Sequence, residues 1–225
     1  RVRSSAASDV YKRQMLDHAL QFFKIKPDFD LDVMRPNQTL NSLTARVLDT
    51  VENACHRFEP NMVLVQGDTT TAFASALAAY YCKIAVGHIE AGLRSHDLYN
   101  PFPEEANRRL ASVLTEIHFA PTALSRDNLL AEGVPDDKIV VTGKTVIDTL
   151  RALSVLPHSW ENTPLAGIPD DNSRLVLVTS HRRESLGTDQ ENMCLALKDL
   201  VKQHPDIRVV YPVHLNPNVR ATVNG

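Results

Sequence analysis

Short apolar runs that end at glycine or an acid, each followed by a helical stretch, most limit what this chain can fold into. Met62-Val63-Leu64-Val65-Gln66 stops at Gly67-Asp68 and gives way to Thr69-Thr70-Thr71 and an alanine-rich stretch. Ile84-Ala85-Val86-Gly87-His88-Ile89 stops at Glu90-Ala91-Gly92-Leu93-Arg94, and Pro103-Glu104-Glu105-Ala106-Asn107-Arg108 opens a further helix. Strands alternating with helices predict an α/β fold, a Rossmann-like parallel sheet with right-handed crossovers. Such sheets bind ligands beyond the carboxyl ends of their strands. Asp68, Glu90 and Glu104 fall at the ends of successive elements, where paired acids in a dry crevice can move protons.

The same reading sets the boundaries. Arg1 to about Gln14 has neither apolar periodicity nor a signal-peptide core, which predicts a disordered or non-native lead-in over 1–14. Helical spacing begins at Met15 and Pro27 stops it, and Leu31 to Met34 reads as a short strand. Thr39 is the expected N-cap of a helix reaching Phe58. Further helices are expected over Thr70–Cys82, Pro103–Leu114, Thr122–Ala131 and Val146–Leu153, with strands at Glu116–Ala120 and Ile139–Val141. These make a first domain of residues 15–155. Pro157, Pro164, Gly167 and Pro169 mark a linker over 156–172. A second domain starts within 173–225, with strands near Leu175–Thr179 and Ile207–Tyr211 around a helix at Asp189–Gln203. The abrupt ends predict a fragment.

With 225 residues, 43% of them hydrophobic, the chain can bury a substantial core. A formal net charge of −3 gives no sign of a nucleic-acid binder. Cys55, Cys82 and Cys194 are widely spaced, which fits a reducing cytoplasm better than a disulfide framework. No apolar run approaches the ~20 residues of a membrane helix. Neither GxGxxG nor a P-loop is present, and no HExxH motif or Cys/His cluster along the sequence supports a metal. No cofactor is expected.

Each candidate also has a plainer reading. Asp68 suits helix capping as well as ligand contact. Glu90 could pair with Arg94, and Glu104 and Glu105 suit a first helical turn whatever their function. Arg108 is placed either to pair with Glu104 at i,i+4 or to grip a phosphate. His181-Arg182-Arg183-Glu184, at a strand exit, is either a phosphate site or a solvated basic loop, and His214 gains no role from position.

Together the strings QGDTTT (66–71), GHIEAGLR (87–94), PEEANR (103–108), Thr142-Gly143 with Val146-Ile147-Asp148, and HRRE (181–184) resemble the non-hydrolysing UDP-N-acetylglucosamine 2-epimerases. The resemblance runs from about Met15 to the C-terminus. It implies a two-domain glycosyltransferase-B fold with the nucleotide sugar between domains, and a homodimer feeding envelope polysaccharide synthesis. The implied reaction interconverts UDP-GlcNAc and UDP-ManNAc through 2-acetamidoglucal. By the resemblance Asp68 and Glu104 form the C2 acid/base pair, and Glu90 contacts the sugar or transfers a proton. Arg108 supports carboxylates or substrate, while His181 and Arg182 meet the UDP phosphates.

The chain departs from the family pattern in places. The family's early Gly-Thr-Arg-Pro-Glu loop has no counterpart in residues 1–14, and its Ser-Gly-Gly and Glu-Glu-Ala loops would fall beyond Gly225. Lys144 stands where asparagine is usual, and Ser180 where glycine is usual. The chain is therefore expected to lack part of its nucleotide site. A hydrolysing epimerase, another glycosyltransferase-B enzyme and a non-catalytic sugar-nucleotide-binding module are the competing readings.

Overall fold

The computed structural model describes residues 16–35, 38–157, 159, 161, 163, 165–166, 173–180, 187–213 and 223. The chain forms two compact units, Pro27–Leu156 and Arg1–Lys26 with Pro157–Gly225. The lead-in expected over 1–14 and most of the linker expected over 156–172 lie outside the described residues.

In the unit Pro27–Leu156, four parallel strands lie in the order β1 (Met62–Gln66), β2 (Ala85–Ile89), β3 (Ile117–Ala120), β4 (Ile139–Val141). Their register runs from Met62 opposite Ala85 through His88 opposite His118 to His118 opposite Ile139. This is the Rossmann-like sheet of the glycosyltransferase-B type expected from the strand–helix alternation. Residues 16–22 form helix α1 of the other unit.

Helix α2 (Leu40–Phe58) begins where expected, because the Thr39 side chain accepts the Ser42 N–H. Its apolar stripe buries Val47, Val51 and Cys55 against Ala74 and Ala78 of α3 (Thr70–Tyr81). The other face of α3 sets Ala72, Ala76 and Ala79 against Val65 and Val86 of the sheet. Small side chains on both faces let one helix lie close to a helix and a sheet at once, which explains the alanine-rich sequence. Ala91, Ala120, Leu129 and Ile139 form a third cluster, which fastens α5 (Ala123–Ala131) to β3 and β4.

The strand expected at Leu31–Met34 is absent. Asp32 takes a left-handed φ of 41°, which no continuous strand accommodates, and the Val33 carbonyl accepts Arg46 Nη1 at 2.7 Å rather than a ladder partner. Val33 still packs into the α2/α3 core, so the apolar pattern reported burial and not a strand. Helices α4 (Glu104–Leu114) and α6 (Thr145–Ser154) fall within a residue of their expected limits.

In the other unit, β5 (Arg174–Leu177) and β6 (Ile207–Val210) pair in parallel, and α7 (Thr188–Gln203) connects them. Tyr211 Oη donates to the Ser180 carbonyl at 3.0 Å, so the chain after each strand is tied to the other. His181, Arg182, Arg183, Glu184 and His214 lie outside the described residues. No helix among the described residues is long and apolar enough to cross a membrane.

Candidate functional site

The carboxyl ends of β1 and β2 carry the first two acids. Gly67 adopts φ +74° to turn the chain off β1, and its N–H still donates to the Ile89 carbonyl at 3.0 Å. Glu90 is itself left-handed, at φ 64°. A Cβ on Gly67 would lie 3.9 Å from Glu90 Oε2, so the Glu90 carboxylate sits over the backbone that leads into Asp68.

Asp68 does not cap α3. Thr69 does, accepting the Ala72 N–H through Oγ1 at 3.2 Å. The Asp68 side chain, 32% exposed, instead faces Arg108 Nη1 across 3.8 Å. Asn107 Nδ2 donates to the Asp68 carbonyl at 2.9 Å, which docks the start of α4 on the β1–α3 turn. Glu104 is half-buried at the first position of α4, one turn before Arg108.

Arg108 pairs with Glu105 and Asp68, not with Glu104. Its Nε lies 2.9 Å from Glu105 Oε2, but the N–H is not aimed at that oxygen, so the contact is an ion pair more than a hydrogen bond. Glu105 is fully buried and accepts the N–H groups of Ser95 and His96 at 3.0 and 3.3 Å. It therefore anchors the loop after β2 onto α4. Arg94 is likewise taken, by a two-pronged bond to Glu132 with both distances 2.7 Å and by Ser112 Oγ at 3.0 Å. Among the described residues Glu90 has no ion pair with Arg94.

Below this edge lie two buried histidines. His88 Nε2 contacts the Gly67 carbonyl at 2.8 Å, which supports the turn before Asp68, and neither His88 Nδ1 nor His118 Nδ1 has a hydrogen-bond partner. Burial pushes the His88 imidazole down, with Arg94 adding to that and Gly67, Asp68 and Glu90 opposing it. His118 is pushed down to about 4, first by burial and then by His88, Arg94 and Lys138. Both rings are neutral at pH 7.

A cavity of about 910 Å³ lined by Leu98, Arg109, Leu110, Val113, His118 and Glu132 is not where the acids meet: it includes none of Asp68, Glu90, Glu104 or Arg108. Its carboxylate, Glu132, is already bound to Arg94.

The family profile for UDP-N-acetylglucosamine 2-epimerase matches residues 6–225. The chain belongs to the UDP-N-acetylglucosamine 2-epimerase family. It is 50% identical over 217 residues to a UDP-N-acetylglucosamine 2-epimerase of Yersinia pestis, covering 94% of this chain and 58% of that relative. The crystal structure of UDP-GlcNAc 2-epimerase from Neisseria meningitidis bound to UDP-GlcNAc superposes with a TM-score of 0.86 at 48% identity, over 94% of this chain and 58% of that one. The Methanocaldococcus jannaschii enzyme in complex with UDP-GlcNAc and UDP gives 0.70 at 30% identity, over 91% and 55%. The chain thus spans a little over half the length of these relatives.

For this member of the epimerase family the structure brings Asp68, Glu90 and Arg108 to one edge and sets Glu104 on the helix that packs there. His181 and Arg182 fall outside the described residues. Sequence reasoning missed Glu105, Asn107 and His88. All three lie inside the quoted strings, but helix-turn chemistry explained Glu105 equally well, and nothing local distinguishes Asn107 or His88.

Proposed function

We propose that the protein to which this chain belongs interconverts UDP-GlcNAc and UDP-ManNAc, with chemistry centred on the carboxyl edge of β1 and β2. One observation carries this reading: Thr69 takes over the capping of α3, which leaves the Asp68 carboxylate available beside a nearly buried guanidinium. The names of the relatives point to the same substrate.

The sugar C2–H is not next to a carbonyl, so abstracting the proton without losing a leaving group would be very slow. In the proposed sequence a carboxylate removes the C2 proton as the C1–O bond to UDP breaks, giving 2-acetamidoglucal and UDP. A carboxylic acid then protonates C2 from the opposite face while UDP re-adds at C1. Two acids of opposite protonation state are required, with positive charge on the departing diphosphate.

Asp68 and Glu104 are assigned as this pair, and Glu90 as the contact to the sugar. Arg108 orients Asp68, and His181 and Arg182 take the diphosphate. Each proton-transfer role contributes about 10²–10⁴-fold to rate. The reading includes a cytoplasmic homodimer, on family resemblance alone.

The test follows UDP-GlcNAc by NMR in deuterated water with the full protein. UDP-ManNAc carrying deuterium at C2 is expected. Free ManNAc with UDP would identify a hydrolysing epimerase instead, and product without label at C2 would end the elimination scheme.

A further inference from the structure

At the opposite edge of the sheet, before β1 and β2 begin, helices α2 and α3 end beside each other. Glu52 and His56 stand one turn apart on α2, with His56 Nε2 3.8 Å from Glu52 Oε1. Cys82 closes α3 as its C-cap, and one ligand atom each from Glu52, His56 and Cys82 lie within 4.8 Å of one another. We propose that these three side chains form a zinc site, separate from the proposed catalytic edge.

The donor set fits zinc. A carboxylate oxygen, an imidazole nitrogen and a thiolate sulfur are its ordinary ligands, and three protein ligands plus a water complete a tetrahedron. Around such an ion, with bonds of roughly 2.0–2.3 Å, neighbouring ligand atoms stand about 3.4–3.6 Å apart. The Glu52–His56 separation is therefore within a few tenths of an ångström of the bound arrangement. One carboxylate and one thiolate balance the dication.

The setting favours a cation as well. Both helices present their carbonyl ends here, where the helix dipole is negative. Cys82 is held by its N–H bond to the Ala78 carbonyl at 3.0 Å, so the sulfur rides on a fixed helix end. Cys55 lies behind it, buried in the α2/α3 core against which Cys82 packs. A cavity of about 250 Å³, lined by Cys55, His56, Glu59 and Cys82, opens beside the cluster, with Glu52 outside its lining. The His56 and Glu52 side chains are more than half exposed and reach solvent directly. The site joins two helices far from Asp68, so its effect is on stability and not on chemistry.

The test is titration of chelator-treated full protein with zinc chloride against a competing dye, repeated with cobalt to read thiolate coordination in the near ultraviolet. One-to-one zinc uptake, a thiolate-to-cobalt band and a zinc-dependent rise in Tm are expected. His56→Gln and Cys82→Ser should each weaken zinc binding by at least the roughly 10–100-fold that even outer partners are worth. Cys194→Ser should change neither affinity nor band. Because His56 is exposed, its variant tests the site without a folding defect. No stoichiometric uptake by the wild type, or wild-type affinity in either ligand variant, overturns the proposal.

Discussion

Glu105 Oε2 lies 2.9 Å from Arg108 Nε, with the Glu105 side chain wholly buried and Arg108 only 10% exposed. The same carboxylate holds the backbone of Ser95 and His96, so one buried acid fixes both the loop after β2 and the guanidinium that faces Asp68.

Removing Glu105 leaves that guanidinium without its nearest counter-charge and the N–H groups of Ser95 and His96 without their acceptor. Glu105→Ala is expected to cost about 3–5 kcal/mol, the usual loss when one member of a buried pair is deleted. Urea denaturation reads it. A loss below about 1 kcal/mol, the level of surface pairs, would contradict the anchoring role.

Capping by Thr69 and the proton transfer proposed for Asp68 fall at neighbouring positions. Thr69→Ala should lower stability by about 1 kcal/mol through loss of the α3 cap. Asp68→Asn should stay within about 0.5 kcal/mol in stability and lower kcat by about 10²–10⁴-fold, with UDP-GlcNAc affinity on calorimetry nearly unchanged. Equal turnover in Asp68→Asn and the parent would remove Asp68 from the reaction.

The buried histidines make stability fall in mild acid. The folded-state pKa of His118 is about 4 against an ordinary 6.5, so the unfolded chain binds the extra proton between these values. The stabilisation is fully present above 6.5 and is lost as pH falls from there toward 4. At 1.36 kcal/mol per unit the span amounts to about 3 kcal/mol. His88 shifts in the same direction. Denaturation midpoints at pH 7, 6 and 5 should fall in order, and His118→Phe should flatten part of the slope.

Arg94 is 1% exposed and Glu132 30% exposed, with 2.7 Å between them. The Arg94 hydrogen bond holds the Glu132 carboxyl below its ordinary range. Its contribution is therefore present above the unfolded pKa near 4.5 and lost as pH drops through the folded one. Glu132→Ala should cost about 2 kcal/mol, less than a fully buried pair because water reaches the glutamate. A double-mutant cycle with Arg94→Met measures the coupling, and a coupling near zero would show the pair to be incidental.

The fold was legible because its signal is local. Apolar runs of strand length, alanine spacing in α3 and the cap at Thr39 each need only neighbouring residues, and their elements fall within a residue or two of expectation. Leu31–Met34 failed for a matching reason: burial made it apolar, while the Val33 carbonyl was taken by the Arg46 side chain of the following helix. The acids at the strand ends were also legible, since strand boundaries place them.

By itself the sequence determined the strand–helix order and put Asp68, Glu90 and Glu104 at the ends of elements, because periodicity and capping act over one or two turns. Only the tertiary structure decided partners. That Arg108 answers to Asp68 as well as to Glu105 on its own helix, Arg94 to Glu132, and Cys82 to a turn of α2 depends on how separate elements pack together. Side-chain charge and size are written in the residues, but which charges meet is set by how the helices pack on the sheet.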